Sequence, residues 1–217
     1  MRRPKTDRFG LFRLTHVVLI LGLIGAGVAA ATEGEMYKGY ELPPYEVLES
    51  EGPFERRSYR PHILAEVTVR GGEGRAVSRG FQVLANYIFG GNATGEKIAM
   101  TVPVAQTPNE GAASPGEGWT VSFMIPAAFT LETLPDAQNG AIRFVEAKPE
   151  EMLVLSFSGM RTAGALARQT QALIDEAQSR QLTMIGAPRY FFYDGPMTPP
   201  WARRNEVAVP ILPVAEG

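Results

Sequence analysis

The sequence predicts an α+β fold in which antiparallel strands carry helices on one side. Short segments with alternating apolar and polar residues come in groups, as half-buried strands do. Two segments show the period of an amphipathic helix, and each follows a group of strands. Because the order of strands, one helix and two strands occurs twice, we interpret the chain as an internal duplication of a β-α-β-β unit.

The first half opens with three predicted strands. Tyr45–Glu49 alternates, residues 54–59 follow the turn signal Gly52-Pro53, and residues 63–69 are rich in β-branched side chains. The four-residue run 71–74, with three glycines, ends the third of these strands.

A helix follows these strands, and two further strands complete the first half. The helix is predicted to end at residues 90–92, which supply a glycine C-cap. Its predicted apolar face consists of Val77, Phe81, Leu84, Ala85 and Ile88. Residues 98–107 and 119–125 are the next predicted strands, joined by a Gly/Ser/Pro-rich loop.

The second half repeats this order. The predicted strands are 142–145, 152–157, 189–193 and 205–212, and the proline-rich loop 195–200 precedes the last of them. The predicted helix runs from about Thr162 to Arg180, and its apolar face consists of Leu166, Thr170, Leu173, Ile174 and Ala177.

The first 31 residues have the pattern of a secretory signal. A basic leader precedes an apolar run from Leu14 to Ala31 that ends in small residues. The run is also near the ~20 residues that span a bilayer, so an uncleaved membrane anchor is the alternative. We therefore expect residues 1–31 to be a signal peptide or anchor, 32–44 a polar linker and 45–213 a periplasmic or extracellular domain.

Composition narrows the classes of function. Of the 21 basic and 23 acidic residues, the leader holds five and one, so residues 32–217 carry 16 basic and 22 acidic residues, a net charge of −6. This charge argues against nucleic acid and against electrostatic docking on anionic lipid, which leaves membrane contact to the N-terminal segment alone. The absence of cysteine excludes disulfides, thiolate catalysis and thioether-linked haem.

No catalytic constellation is visible in the sequence. A Ser-His-Asp triad would have to use His62, the one histidine outside the leader, and no Gly-x-Ser-x-Gly or His-Glu-x-x-His motif occurs. We therefore expect a protein that is not an enzyme.

Two strings, Lys97-Ile-Ala-Met-Thr-Val-Pro-Val104 and Arg203-Arg-Asn-Glu-Val-Ala-Val-Pro210, are the most informative. Between and around them the chain keeps a fixed order of motifs: Gly80-Phe81-x-x-Leu84-x-x-Tyr87-Ile88, Trp119-x-x-x-Phe123-x-Ile125-Pro126, Tyr193-Asp194-x-Pro196 and Pro199-x-Trp201. In this order residues 45–211 resemble the SOUL/haem-binding-protein family.

The resemblance implies both a fold and a function. The fold would be two β-α-β-β repeats related by a pseudo-twofold axis, forming a distorted antiparallel barrel with flanking helices. A similar architecture is that of the ligand-sensing domain of certain bacterial multidrug regulators. The implied function is non-catalytic binding of haem or a related tetrapyrrole, by a chain we expect to be a monomer.

The resemblance and the residue types also suggest where the tetrapyrrole binds. We expect an apolar groove beside the first helix, formed by Phe81, Leu84, Tyr87, Ile88, Met100, Met197 and Trp201. Arg75 or Arg79 and Arg203 or Arg204 would bind the propionates. An axial histidine could only be His62, although a surface or packing role for it is the alternative.

Other interpretations stay open at this point. The Arg203–Glu206 string could instead join the last strand to the preceding loop through ion pairs. A carboxylate in a pocket, with Glu66 and Glu206 as candidates, would favour a promiscuous sensor of cationic small molecules. A protein-interaction module and a metal-removing, tetrapyrrole-modifying enzyme are the remaining alternatives.

Overall fold

The computed structural model describes residues 35–109 and 118–214, and these contain eleven strands and two α-helices. The strands are β1 Met36–Tyr37, β2 Tyr40–Glu41, β3 Tyr45–Glu51, β4 Phe54–Tyr59, β5 His62–Arg70, β6 Val104–Pro108, β7 Gly118–Met124, β8 Ile142–Ala147, β9 Glu150–Phe157, β10 Arg189–Phe192 and β11 Asn205–Ile211. The helices are α1 Glu73–Ile88 and α2 Ala163–Ser179, and a short 3-10 turn covers Pro200–Ala202.

Nine of the strands form one antiparallel sheet that curls into a half-barrel. Their order is β3-β4-β9-β11-β10-β6-β7-β5-β8, and β1 pairs only with β2. Both helices cover the same side, α1 on β5 and β7 and α2 on β9 and β11. The predicted α+β class is confirmed, although the barrel is half-formed, with β3 and β8 as its edges.

The strand order shows the predicted duplication. In β5-α1-β6-β7 and in β9-α2-β10-β11, the third strand lies between the other two. The halves meet where β6 pairs with β10, with Phe191 opposite Ala105. Strand β4 precedes β5 in the chain but pairs with β9, and β8 precedes β9 but pairs with β5. Each half therefore lends one strand to the other, as a pseudo-twofold axis requires.

Helix α1 packs closely on the first half of the sheet. Its buried residues are Ala76, Gly80, Leu84, Tyr87 and Ile88, so the buried face is rotated from the predicted face that included Val77 and Phe81. A Cβ atom at Gly80 would lie 2.7 Å from Val121 Cγ2, so the small residues let the helix approach β7. The helix ends as predicted, with Gly90 at φ +106°, where glycine is favoured.

Helix α2 begins and ends close to its predicted bounds. The hydroxyl oxygen of Thr162 accepts a hydrogen bond from the backbone N–H of Ala165, which satisfies one of the free donors of the first turn. Leu166, Leu173 and Ala177 are buried on its inner face.

The prediction of a strand over residues 98–107 was wrong in its first half. Strand β6 begins only at Val104, and the Val102-Pro103 peptide bond is cis. Pro103 has no N–H to donate to a neighbouring strand, so pairing starts after it. Thr101 is buried and donates its hydroxyl to the carbonyl of Met124 (2.6 Å).

The segment predicted as a polar linker contains structure where it is described. Strands β1 and β2 form a short hairpin, and Leu42, which follows it, is 2% exposed in a cluster with Tyr59, Met152 and Phe191. The apolar N-terminal run lies outside the described residues. Within residues 35–109 and 118–214, no helix is long and apolar enough to cross a membrane.

Candidate functional site

A groove of about 640 Å³ lies on the helix-free face of the sheet and spans the junction of the two halves. Most of the residues that line it lie on strands β5 to β10 of the sheet. The full lining is Pro43, Tyr59, His62, Leu64, Glu66, Pro103, Ala105, Thr107, Thr120, Ser122, Met124, Val145, Glu146, Ala147, Lys148, Pro149, Glu150, Met152, Arg189, Phe191 and Tyr193. The volume falls within the ~300–1,000 Å³ that is typical of small-molecule sites.

The alternation of strand side chains builds the floor of the groove. On β5, Leu64 and Glu66 face the groove, whereas Ala65 and Val67 pack in the core under α1. On β7, Ser122 and Met124 face the groove in the same way. The floor therefore offers apolar surface from Leu64 and Met124 beside the polar groups of Glu66 and Ser122, and it can hold a flat ligand.

His62 lies at one end of the groove with a defined tautomer. Its Nδ1 is 2.8 Å from the carbonyl oxygen of Arg60, and because a carbonyl only accepts, Nδ1 carries the proton. Nε2 then has the free lone pair that a metal ion requires. Burial holds the pKa of His62 below its ordinary value, against the opposing effect of the Arg60 hydrogen bond, so the ring is neutral at pH 7.

Charged residues border the same end. Arg189 forms a bidentate pair with Glu150 (2.6 and 3.1 Å), and both line the groove. Lys148 is exposed, and within the part of the chain that the structure describes it forms no ion pair. A ligand carboxylate could thus meet a free ammonium group at the rim.

On the second half, the helix-free face holds a buried ionic cluster instead of a cavity. Glu206 is 0% exposed and accepts a bidentate pair from Arg57 (2.9 and 3.0 Å), which is itself 1% exposed. Arg204 donates to the same carboxylate from Nε and Nη2 (2.9 and 2.7 Å), and the hydroxyl of Tyr193 donates at 2.7 Å. Ser156 completes the set at 3.3 Å.

The ionisation of this cluster follows from its burial and its pairing. Burial disfavours the charge on Glu206, but Arg57, Arg204 and the hydrogen bond from Tyr193 hold the pKa of Glu206 below its ordinary value. Burial and the neighbouring carboxylate raise the pKa of Tyr193 well above its ordinary value. The cluster is therefore a carboxylate between two guanidiniums, with the tyrosine as a neutral donor.

A second carboxylate joins the N-terminal hairpin to this region. Asp194 accepts hydrogen bonds from the hydroxyl of Tyr37 (3.1 Å), from Lys38 (2.7 Å) and from the backbone N–H of Arg204 (2.7 Å). Although burial acts against it, these donors hold the pKa of Asp194 below its ordinary value.

Three residues predicted to line a groove beside α1 are in the core. Leu84 and Tyr87 are 0% exposed and Ile88 is 2% exposed, packed against Ala65, Val67 and other residues of the sheet. Tyr87 also donates its hydroxyl to the carbonyl of Pro135 (2.9 Å). Since α1 turns these side chains inward, they form no surface that a ligand could reach.

The other predicted apolar residues do not meet one another. Phe81 is partly exposed and stacks edge-on against Phe123, and Met100 is half-buried against the core of the first half. Met197 and Trp201 are 92% and 79% exposed on the loop before β11, and neither lines the groove. Of the residues predicted for tetrapyrrole binding, His62 alone lines the groove. Glu66, which was predicted for a cationic ligand, also lines it.

The predicted arginines have structural partners or face solvent. Arg203 joins the start of the last strand to the preceding loop, because it donates to the carbonyls of Thr198 and Pro196 (both 2.7 Å). These contacts are hydrogen bonds, and the ion pair of Arg204 is with Glu206 in the same string. Arg79 donates to the carbonyl of Arg70 (2.6 Å), and Arg75 is exposed on α1. A role for any of them in binding propionates stays a prediction.

Several groove residues were not identified from the sequence as a site. Among them are Tyr59, Met124, Lys148, Met152, Arg189 and Phe191. The available signal was the period-two register: residues 62, 64 and 66 share one face of β5, and 120, 122 and 124 share one face of β7. Among the described residues, no three His, Cys, Asp or Glu side chains are grouped as metal ligands.

Similar solved structures define the class of fold. The C-terminal domain of EcmrR matches with a TM-score of 0.59 at 10% identity, over 78% of this chain and 99% of that one. An uncharacterised conserved protein from Listeria innocua matches at 0.56 and 12% identity, over 73% and 92% of the two chains. A structure described as a hydrolase from Listeria innocua matches at 0.52 and 12% identity, over 76% and 94%. The chain therefore has an effector-binding-domain-like, two-repeat half-barrel fold.

The family follows from the sequence match. The family model described as SOUL heme-binding protein matches residues 40–210, most of the chain, and the protein belongs to that family. No curated protein sequence matches this chain.

Proposed function

We propose that this protein binds haem or a related tetrapyrrole without catalysis, outside the cytoplasmic membrane, in the groove on the helix-free face. Membership of the SOUL family supports a tetrapyrrole as the ligand. The signal-like pattern of residues 1–31 supports the location. The groove, rather than the surface beside α1, is the proposed site because Leu84, Tyr87 and Ile88 are buried.

The single observation that carries the proposal is the state of His62. Its ring lies at the groove, is neutral at pH 7, and presents Nε2 free because Nδ1 donates to Arg60. These are the properties of a proximal haem ligand held by a backbone carbonyl. Leu64, Met124 and Met152 offer apolar surface to the macrocycle.

The rim of the groove offers groups for the ligand carboxylates. Lys148 is exposed and without an ion-pair partner among the described residues, so it can bind one propionate. Arg189 can bind the other only by giving up part of its bidentate pair with Glu150.

The test is a hemin titration of the full chain in detergent, followed in the Soret region. We expect saturable one-to-one binding that shifts the Soret maximum. In His62→Ala this shift should be lost and the affinity should fall about tenfold or more, because the coordinate bond is removed. Arg75→Ala on α1 is the matched control and should bind hemin like the wild type. Weaker hemin binding by Arg75→Ala, together with unchanged hemin binding by His62→Ala, would place the site beside α1. The absence of saturable binding to the wild type would refute the proposal.

A second candidate function is a sensor of cationic small molecules. The observation that favours it is Glu66, a carboxylate on the groove floor that forms no ion pair among the described residues.

A further inference from the structure

The pseudo-twofold axis relates Glu66 to the buried ionic cluster of the second half. At the junction, Phe191 of β10 lies opposite Ala105 of β6. Moving one strand outward on each side leads to Glu206 on β11 and to Ser122 on β7. With the axis taken through this middle one of the three paired positions, Glu206 in the second half corresponds to Ser122 in the first.

One further strand outward completes the correspondence. The partner of Glu206 on β9 is Ser156, and the partner of Ser122 on β5 is Glu66. Each half thus has one serine opposite one glutamate on neighbouring strands. The glutamate is on the strand nearer the junction in the second half and on the strand farther from it in the first half. Both pairs are hydrogen bonded: Ser156 donates to Glu206 at 3.3 Å, and Ser122 donates to Glu66 at 3.1 Å.

The two pairs differ in what the carboxylate binds. Glu206 binds the guanidiniums of Arg57 and Arg204. The Cζ atom of Arg57 lies 4.6 Å from the ring centre of Tyr45, and that of Arg204 lies 4.1 Å from the ring centre of Tyr193. Glu66 has no cation within ion-pair distance in the described residues. Arg143 is opposite Glu66 in the register of β8, but it is exposed and makes no ion pair with it.

We infer that the Glu66–Ser122 pair is a subsite for a planar nitrogen cation, an amidinium or guanidinium carried on an aromatic or apolar body. The second half shows, with its own arginines, the ligand that such a pair accepts in this fold. A planar N–H fork matches a carboxylate in bidentate geometry. The inference does not require haem to be the ligand of the groove.

The groove also defines the size of the attached body. Glu66 on β5 and Phe191 on β10 are separated by three strand spacings, at most roughly 14 Å. Ala105 and Ser122 between them have small side chains, which leaves room for a flat body lying across the strands. An elongated aromatic amidinium therefore fits from the Glu66 end to the aromatic end at Phe191.

The experiment is a fluorescence titration of the full chain in detergent with diamidinophenylindole, an aromatic amidinium. We expect saturable binding to the wild type and at least about tenfold weaker binding to Glu66→Gln, because a hydrogen-bonded charge pair is lost. Glu146→Gln is the matched control: Glu146 is an exposed carboxylate that also lines the groove, and its loss should change the affinity less than about twofold.

Two further variants keep the test independent of folding defects. Ser122→Ala removes the hydrogen bond to Glu66 and should weaken binding roughly two- to tenfold. Arg143→Gln removes the cation opposite Glu66 in the register of β8 and should strengthen binding about twofold. A destabilised protein could not bind more tightly, so a gain in Arg143→Gln supports the subsite directly.

The outcomes separate this inference from the proposed function. Equal affinity in the wild type and Glu66→Gln, or equal losses in Glu66→Gln and Glu146→Gln, would overturn the subsite. Saturable hemin binding with no amidinium binding would also overturn it and would leave tetrapyrrole binding in place. Amidinium binding that depends on Glu66, with no hemin binding, would support the subsite and remove haem as the ligand.

Discussion

The two halves of this protein share a backbone plan and use the helix-free face of the sheet in opposite ways. In the second half, Arg57, Tyr193 and Glu206 fill that face, and Leu42 from the N-terminal segment packs in the adjoining cluster. In the first half, Ala105, Ser122 and Thr120 leave the corresponding surface open as part of the groove. The strand order outward from the junction is equivalent except for β3, which adds a strand beyond β4 and has no counterpart beyond β8. The difference between the two surfaces therefore lies mainly in side-chain volume and charge.

This comparison shows how one repeat can be closed for stability while its copy is kept open for a ligand. A buried carboxylate is tolerated in the closed half because four groups donate to it. In the open half the carboxylate of Glu66 lines an open groove and has no ion-pair partner among the described residues.

The largest effect should come from opening the closed half. Arg57→Met removes one partner of a fully buried pair and leaves Glu206 with an incomplete set of donors. We expect the free energy of unfolding to fall by ~3–5 kcal/mol, measured by urea denaturation at pH 7. Glu66→Gln, the matching change in the open half, should stay within ~0.5 kcal/mol of the wild type. Losses of similar size in the two variants would contradict the difference between the halves.

The next effect should come from weakening the N-terminal contact with the closed half. Leu42→Ala removes a side chain that is 2% exposed and packs with Tyr59 and Phe191. The expected loss is ~2–4 kcal/mol, from lost burial and a cavity that the sheet cannot fill. Differential scanning calorimetry would measure it, with Met36→Ala as control because Met36 is 57% exposed. An unchanged melting temperature in Leu42→Ala would mean that the segment does not contribute to the fold.

Filling the open half should change binding far more than stability. Ala105→Phe introduces, at the position opposite Phe191 across the junction, the ring that the second half already has. The side chain would extend into the groove, so we expect a change of less than ~1 kcal/mol in unfolding free energy. Hemin affinity should fall about tenfold or more in the Soret titration, because the ring occupies ligand space. A large loss of stability would mean that the groove is too narrow to hold the ring.

The smallest effect should be the dependence of stability on pH. The pKa of Glu206 is lower in the folded protein than its ordinary value of 4.5, so the unfolded chain binds the proton more readily. This contribution is complete above about pH 4.5 and is lost as the pH falls through the folded pKa. Urea denaturation between pH 7 and pH 3 should show the decrease, and Glu206→Gln should flatten it. An equal decrease in the variant would assign the acid sensitivity to other carboxylates.

Local chemistry made part of the fold predictable. Thr162 marked the start of α2 and Gly90 the end of α1, since capping depends on the residue itself and its immediate neighbours. The duplication was visible as an order of elements. Strand β6 was placed too early because an apolar alternation continues through Pro103, and alternation alone does not show where pairing begins.

The site was much less predictable, for a geometric reason. On β5 both faces contain apolar residues, and the sequence does not show that Ala65 and Val67 meet α1 while Leu64 and Glu66 meet the groove. Arg57 lies in a strand of ordinary composition, and its partner Glu206 is 149 positions away in the sequence. The two residues meet only because β4 pairs with β9 of the second half, which the sequence does not show. His62 could be proposed as an axial ligand only because it is the one histidine outside the leader.

The hairpin β1–β2 has a practical consequence for recombinant production. An expression plasmid designed from the alternation pattern would start at Tyr45 and discard Tyr37, Lys38 and Leu42. The trimmed polypeptide would uncover the apolar cluster around Tyr59 and Phe191 and leave Asp194 without two of its three donors. Such a product would precipitate or form inclusion bodies, whereas one that begins at or before Glu35 keeps that surface covered.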